Sequence, residues 1–486
     1  MQLLGIIFTG YLTILFFIGI WTYRLAKTQE EYLLAGRKLG PWVTAFSERA
    51  SGESAWLLLA LPGAAIVTGM SEIWAVFGII FGIISSWYLI AEKLRSETEK
   101  FNALTIPEYL HRKYCDDSNV IRLFSSIIIS FFFLFYVSAQ FHASGKVLNS
   151  LFKIDPIYGI SIGAFIITLY TILGGFFAVA WTDLIQGVLM IGTLVVLPIT
   201  GLIHIFQMDK TIINGLMEAE LIFQNHNSLI LGGKSGYEAV FLAIGGLSWG
   251  LGYLGQPHLL IRFMAIRSVK EVEKARKIAI IWSIPGVIGA FMIGLVALVY
   301  FGPQYFQGVG AADPEKAMPI LATQILHPVV AGLFISGAVA AMMSTADSQL
   351  LVSASAITED FIHQFLNLKL SQNTLVYLSR IVITILAGIA FGIALYSELT
   401  GKNIFLVVSY AWSGLGSAFG PALVLTLWWS KTTRLGVLAG LLTGFLTTVI
   451  WSNIPVLVNL CTERLASFVL SFFAVYVFSL ITSNEA

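Results

Sequence analysis

The sequence predicts an all-α polytopic membrane protein, and three observations carry that prediction. Of the 486 residues, 57% are hydrophobic and 11% are charged, against roughly a quarter charged in soluble domains. Thirteen apolar stretches follow one another along the chain, most near or above the roughly 20 residues that a spanning helix needs. The basic residues fall mainly on one side of the loops between them. Such a composition excludes a soluble enzyme, a disordered chain and a nucleic-acid binder. The net charge of +1 gives no sign of a polyanionic partner. The only cysteines are Cys115 and Cys461, so no disulfide framework is implied.

The stretches run approximately over 3–23, 42–68, 71–92, 121–146, 157–178, 182–206, 238–262, 277–301, 326–358, 375–397, 403–428, 433–453 and 463–483. The first lacks a basic leader and a small-residue cleavage site, so it reads as a helix and not as a signal peptide. Barrel strands are about 9–11 residues, which leaves helices as the spanning element. Thirteen spans put the termini on opposite faces. With the N-terminus outside, 20 of the 28 Lys and Arg residues fall on the inner loops and their flanks, including Arg262, and seven fall outside. Only Arg49 reads as lying within a span. This bias predicts an N-out, C-in topology.

Segments two and seven stand apart. Segment two has Ser51, Gly52, Glu53 and Ser54 at its centre. Segment seven carries Gly245, Gly246, Gly250, Gly252 and Gly255, then Pro257. Interrupted hydrophobic segments at matching places in two halves point to a transporter site. The spacing suggests two five-helix repeats, 42–206 and 238–428. The helix 3–23 and the pair in 433–483 lie outside them, all within one membrane domain, 1–486. Non-helical backbone at membrane depth is tolerated where it lines a cavity or is buried in protein. Its free carbonyls can hold a cation, and half-helix N-termini can hold a carboxylate. The simpler reading, close helix packing, suits Gly78/Gly82 and Gly436/Gly440/Gly444.

Ionisable residues inside spans are candidates for function. They are Glu48, Arg49, Glu53, Asp183 at the start of segment six, and Asp347 in segment nine. Arg49 and Glu53 are four apart and pair if the helix is intact between them. In segment nine, Ala341, Ser344, Thr345 and Ser348 share an arc of about 100°, with Asp347 at its edge. Hydroxyls and carbonyls are hard donors suited to Na⁺, although span hydroxyls commonly bond their own helix carbonyls. In segment seven, Trp249 and Tyr253 are four apart near mid-span and suit a small ligand. Gly233-Lys234-Ser235 resembles the end of a phosphate loop, but that pattern needs a glycine where Ser228 stands. ATP-driven transport is therefore not expected.

The motifs LLAGRKLGPWVTAFS, SAWLLLALPGA, NALTIPEYL, YTILGGFFAVAWTDLIQ, SWGLGYLGQPHLLIRFMA, MSTADSQLLVSASAITED and VSYAWSGLGSAFGP together resemble the solute:sodium symporter family over almost the whole chain. The resemblance implies a LeuT-like core of two inverted five-helix repeats in a thirteen-helix protein. It implies a Na⁺ site formed by the carbonyls of Ala50, Glu53 and Ala341 with the hydroxyls of Ser344 and Thr345. It also implies a substrate pocket lined by Ser54, Trp56, Tyr136, Trp249, Tyr253 and Pro257. Where the family's proline carriers have an Asp important for Na⁺ coupling, this chain has Gly52, with Glu53 beside it. Three readings stay open. Glu53 supplies the same charge, or Arg49 neutralises it, or it titrates and H⁺ takes over the coupling. Some relatives hold a second Na⁺ at positions that here are Asp183, Ser344, Asp347 and Ser348.

The resulting expectation is secondary active uptake of L-proline with Na⁺ as the co-transported ion. It comes with no organic cofactor and no nucleic-acid partner, in the bacterial inner (plasma) membrane, by a carrier functional as a monomer. The alternatives are the same machine with another small amino acid or carboxylate, or with H⁺ used through Glu53. A membrane sensor built on such a core would be favoured by a long C-terminal extension, and three residues follow the last stretch. A membrane-bound enzyme is not expected either, because no nucleophile and base converge.

Overall fold

The helices sort by length and polarity into membrane-crossing elements and short connectors. The computed structural model describes residues 2–23, 29–223, 226–307, 310–368 and 370–483. Arg24, Lys27 and Lys369 of the basic set lie outside the described residues. Among the described residues there is no strand, and ten helices are long and apolar enough to cross a membrane, or eleven with one bent pair counted as a span. They are α2 (Pro41–Thr68), α3 (Met70–Lys100), α5 (Val120–Phe152), α7 (Gly175–Gln207), the bent pair α8 (Gly236–Gly252) and α9 (Pro257–Ala265), α10 (Val269–Phe301), α11 (Pro328–Phe365), α12 (Gln372–Leu399), α13 (Ile404–Trp428), α14 (Arg434–Asn453) and α15 (Glu463–Thr482). Outside this set are α1 (Gln2–Tyr23), of which Gly5–Leu15 is the apolar part, α4 (Ile106–Lys113) and α6 (Pro156–Ile172).

Local chemistry fixes the ends. Pro41, Pro257 and Pro328 sit in the first turns of α2, α9 and α11, where a missing N–H is harmless. Thr105, Asp155, Ser371 and Asn403 accept backbone N–H groups as N-caps. The boundary between segments five and six falls at Gly175 (φ 61°) rather than near 180. Only glycine adopts that backbone readily. Asp183 is therefore two turns inside α7 and not at its start.

Two breaks place the site. In α2 the helix is interrupted at Ser54 (φ 50°, ψ −171°). The Gln140 side chain of α5 accepts the Ala55 N–H at 3.0 Å, and Ser54 Oγ accepts the Trp56 N–H at 3.0 Å. Between α8 and α9 the axis turns by 45°. The helices α2 and α11 are almost wholly buried at the centre, whereas α12, α14 and α15 show broad apolar faces outward.

The glycines of segment seven serve packing as well as bending. A Cβ on Gly82 would lie 2.4 Å from the backbone of Gly250, and one on Gly250 would lie 2.2 Å from the Gly78 carbonyl. Backbone faces backbone there, so nothing can rotate away. We expect Gly250→Val to cost at least the roughly 1–3 kcal/mol typical of overpacking and to remove most folded carrier. Monodispersity and thermal unfolding of the detergent-purified protein check this. Wild-type behaviour would show that α3 and α8 do not touch this closely.

Candidate functional site: a broken helix facing a hydroxyl-lined one

The break in α2 lies against the hydroxyl face of α11. Ser344 Oγ donates to the Ala50 carbonyl at 2.9 Å and lies 3.1 Å from the Ala341 carbonyl. Thr345 Oγ1 donates to the Ser51 carbonyl at 3.0 Å. In return Ser51 Oγ reaches the Ser344 carbonyl at 3.0 Å. The expected Na⁺ donors Ala50, Ala341, Ser344 and Thr345 are thus brought together across two helices, and all are buried. The Glu53 carbonyl accepts the Trp56 N–H across the break, and the partner of Thr345 is Ser51. These oxygens are neutral, small and hard, a donor set suited to a monovalent cation of Na⁺ size.

One turn away sits a charged cluster that sequence reading assembled only in part. Asp183 Oδ2 accepts from Ser47 at 2.6 Å and lies 3.2 Å from Ser51 Oγ. Ser348 Oγ lies 3.2 Å from Asp347 Oδ1. The missing member is Arg262, assigned above to an inner loop or its flank. It is fully buried in α9. Its Nη2 lies within hydrogen-bond reach of Ser348 Oγ (2.5 Å), Ser51 Oγ (2.7 Å) and Asp183 Oδ2 (3.1 Å). Its Nε reaches Ser47 at 3.1 Å and its Nη1 the His258 carbonyl at 2.5 Å. The positive charge beside Asp183 and Ser348 in this structure is therefore a guanidinium. An arginine within the apolar run PHLLIRFMA was the available signal, because a charge there is costly unless partnered.

The aromatic residues form a separate narrow cavity of about 10 Å³, lined by Gly52, Trp56, Ile79, Tyr136, Trp249, Tyr253, Val408 and Trp412. Trp56 and Trp249 meet at 4.6 Å between ring centroids, and Tyr253 meets Trp412 at 4.6 Å. Trp412 Nε1 donates to the Trp249 carbonyl at 3.0 Å, and Gln256 Nε2 donates to the Trp412 carbonyl at 3.0 Å. Ser54 stands at the edge, its Oγ 3.4 Å from the Tyr136 hydroxyl. Pro257 does not line this cavity. It borders another narrow cavity with Thr105, Pro107, Ile129 and Asp360. Trp412 was missed, although it lies in the matched stretch VSYAWSGLG.

Two polar latches hold the N-terminal half of α13 near the aromatic cavity. Glu315 accepts Lys146 Nζ at 2.5 Å and the N–H groups of Ile404 and Phe405 at 3.1 Å each. It thereby caps α13 with a negative charge at its N-terminus. Phe405 closes over Trp249 at 5.3 Å. Burial would raise the neighbouring Asp313 carboxyl, but the Lys146 ammonium 2.7 Å away holds it below the ordinary carboxylate range. The second latch comes from α15. Glu463 accepts Ser409 at 2.7 Å and Ser413 at 3.0 Å. Arg464 reaches Ser248 at 3.3 Å, bonds Ser409, and stacks 4.4 Å from the centroid of Trp249.

A buried cation–π contact is worth up to about 2 kcal/mol, so Arg464→Gln should lower turnover per folded carrier by several-fold. Combined with Trp249→Phe it should give a non-additive effect in a double-mutant cycle of transport rates. Additive losses would show that Arg464 does not act through Trp249.

The model of the sodium:solute symporter family matches residues 32–444. The high-affinity proline transporter PutP of Bacillus subtilis is 37% identical over 96% of this chain and 95% of its own. The osmoregulated proline transporter OpuE of the same organism is 36% identical over 99% and 95%. The sodium/proline symporter of Escherichia coli is 37% identical over 92% and 87%. Among solved structures, a Na⁺-coupled sialic acid symporter in a substrate-bound outward-open state matches with a TM-score of 0.79 at 18% identity, over 100% of this chain and 98% of that one. A nucleobase-cation-symport-1 family transporter in a closed conformation matches with a TM-score of 0.51 at 13% identity, over 93% and 94%. At those identities the two structures speak for the fold. The family match and the curated relatives speak for descent: the chain belongs to the sodium:solute symporter family.

Proposed function

We propose that this protein is a Na⁺-coupled symporter that takes up L-proline by alternating access. The observation that carries the reading is the contact between the α2 break and the hydroxyl face of α11. It gathers neutral oxygens from two helices at one point, beside a narrow cavity walled by aromatic side chains. The names of the curated relatives support proline as substrate and sodium as the coupled ion. In this reading Na⁺ binds the carbonyls of Ala50, Glu53 and Ala341 and the hydroxyls of Ser344 and Thr345. Proline sits among Trp56, Tyr136, Trp249 and Tyr253, with Ser54 at the break. The membrane is the bacterial inner membrane. Two further apolar helices, α1 and α6, bring the spans to thirteen, N-out and C-in, around two inverted five-helix repeats. The carrier works as a monomer and performs no catalysis.

Coupling follows from differential affinity. Each hydroxyl that now bridges α11 to an α2 carbonyl can instead share a cation with that carbonyl. Na⁺ thus ties the two helices in the arrangement that shapes the cavity, and proline and Na⁺ favour each other's binding reciprocally. One charge crossing about 100 mV releases about 2.3 kcal/mol, enough for roughly 50-fold accumulation before the ion gradient is counted. A second cation beside Asp183, Ser344, Asp347 and Ser348 would have to share the cluster with the Arg262 guanidinium, which already bonds Ser348 and Asp183 Oδ2 while Asp183 Oδ1 and Asp347 Oδ2 have no hydrogen-bond partner. We therefore propose one Na⁺ per proline, with Arg262 as the fixed second charge. The competing reading, H⁺ used through Glu53, draws on the buried Oε2 of that residue, which makes no hydrogen bond of ordinary geometry.

Ser344→Ala should raise the Na⁺ concentration for half-maximal proline uptake about tenfold or more, with a smaller effect on proline affinity at saturating Na⁺. The Na⁺ Hill coefficient should be one. A coefficient near two that falls to one in Asp347→Ala would establish a second coupled ion. An unchanged Na⁺ dependence in Ser344→Ala would remove the ion from the α2–α11 contact.

A further inference from the structure

Beside the aromatic cavity, α2 carries three buried charges within six residues. Glu48 holds Arg49 with both oxygens, Oε2 taking Nε at 2.6 Å and Oε1 bonding Nη2. Glu48 Oε2 also accepts Trp87 Nε1 at 3.0 Å. Arg49 Nη1 donates to Glu53 Oε1 at 2.7 Å. One oxygen of the cluster is held less firmly: Glu53 Oε2 is fully buried and makes no hydrogen bond of ordinary geometry, with the Tyr253 hydroxyl as the donor facing the carboxylate. The triad carries a net charge of −1, and that acceptor is where the charge is least compensated. Leaving a buried charged acceptor poorly bonded is costly, so a further donor belongs there.

The cavity tells which donor. Glu53 lies between Gly52, which lines the cavity, and Ser54, where the helix breaks. A Cβ on Gly52 would stand 3.5 Å from Arg49 Nη2, so the triad backs directly onto that wall. The Arg49 guanidinium also lies 5.5 Å from the centroid of Tyr253, another lining residue. The rest of the lining is aromatic, aliphatic or glycine, and none of it is acidic. Glu53 does not itself line this space, but its carboxylate stands behind Gly52 and Tyr253, and it is the anionic acceptor that a ligand with a cationic N–H among these aromatic faces would draw on.

We propose that Glu53 Oε2 receives the secondary ammonium of the imino acid, making Glu53 the residue that selects an amine-bearing substrate. Glu48 and Arg49 are positioning residues. Glu48 holds Arg49, and Arg49 occupies the other oxygen of Glu53, which leaves a single acceptor for the ligand. This rests on the reading of the cavity as an imino-acid site. A site built around a substrate N–H rejects an analogue lacking it far more strongly than a greasy pocket rejects a missing methylene.

The test compares L-proline with its oxygen isostere, tetrahydrofuran-2-carboxylate, as competitors of labelled L-proline uptake into proteoliposomes under a Na⁺ gradient. Wild type should prefer proline by about a hundredfold or more. Glu53→Gln should narrow that preference by about tenfold or more by weakening proline alone. Glu53→Asp, which withdraws the oxygen by one methylene and keeps the charge, is read the same way and serves if Glu53→Gln does not fold. A wild type that binds both compounds alike would overturn the proposal. So would variants that weaken both in proportion, since that is what loss of a purely structural partner of Arg49 would do. Absence of any Na⁺-driven proline uptake by wild type would instead defeat the reading of the function.

Discussion

The structure depends on one constraint, the satisfaction of backbone polar groups at membrane depth without water. A helix meets that constraint automatically, and a broken helix does not. At Ser54 the chain leaves helical geometry in the centre of the protein. Two neighbouring helices and the broken segment itself repair the loss. Gln140 from α5 takes one freed N–H, Ser54 itself takes another, and Ser344 and Thr345 from α11 donate to carbonyls just before the break. A repair made by hydroxyls is exchangeable, because the same oxygens can turn lone pairs toward a cation. The groups that make the break tolerable are the groups that make it an ion site.

Charge is handled by the same logic. A chain with 11% charged residues nevertheless places Arg49, Arg262, Glu53, Asp183 and Asp347 in its fully buried interior. Removing one partner of such a group leaves an uncompensated charge, which is far more destabilising than the pair is stabilising. Arg262 joins α9 to α2, α7 and α11 through Ser47, Ser51, Asp183 and Ser348. The bent segment, the broken segment and the hydroxyl helix are thus held through one guanidinium. Motion of α9 would be felt at Ser51, whose carbonyl is the partner of Thr345.

Much of this was legible in the sequence, for physical reasons that differ by residue. Ser344 and Thr345 were readable because helical periodicity alone places them on one face with Ala341. Trp249 and Tyr253 were readable because they lie near the middle of a span. The pairing of Arg49 with Glu53 followed from a four-residue spacing on an intact helix. Arg262 was misplaced because it lies near the end of an apolar run, where basic residues usually mark a loop. Its burial depends on acceptors from three other helices that are distant in sequence. Trp412, Ile79 and Val408 enter the cavity only through tertiary packing, and Pro257 faces away because the chain turns between α8 and α9. Arg464 reaches Trp249 from a helix more than 200 residues later, a distance over which local patterns carry no information.

The most direct test of the account is labelled L-proline uptake by the purified protein in proteoliposomes, with either a Na⁺ gradient or a pH gradient imposed alone. If the α2–α11 contact is the coupling site, an inward Na⁺ gradient drives accumulation and a pH gradient without Na⁺ does not. Accumulation driven by the pH gradient alone, and abolished by Glu53→Gln, would contradict it and transfer the coupling to the carboxylate.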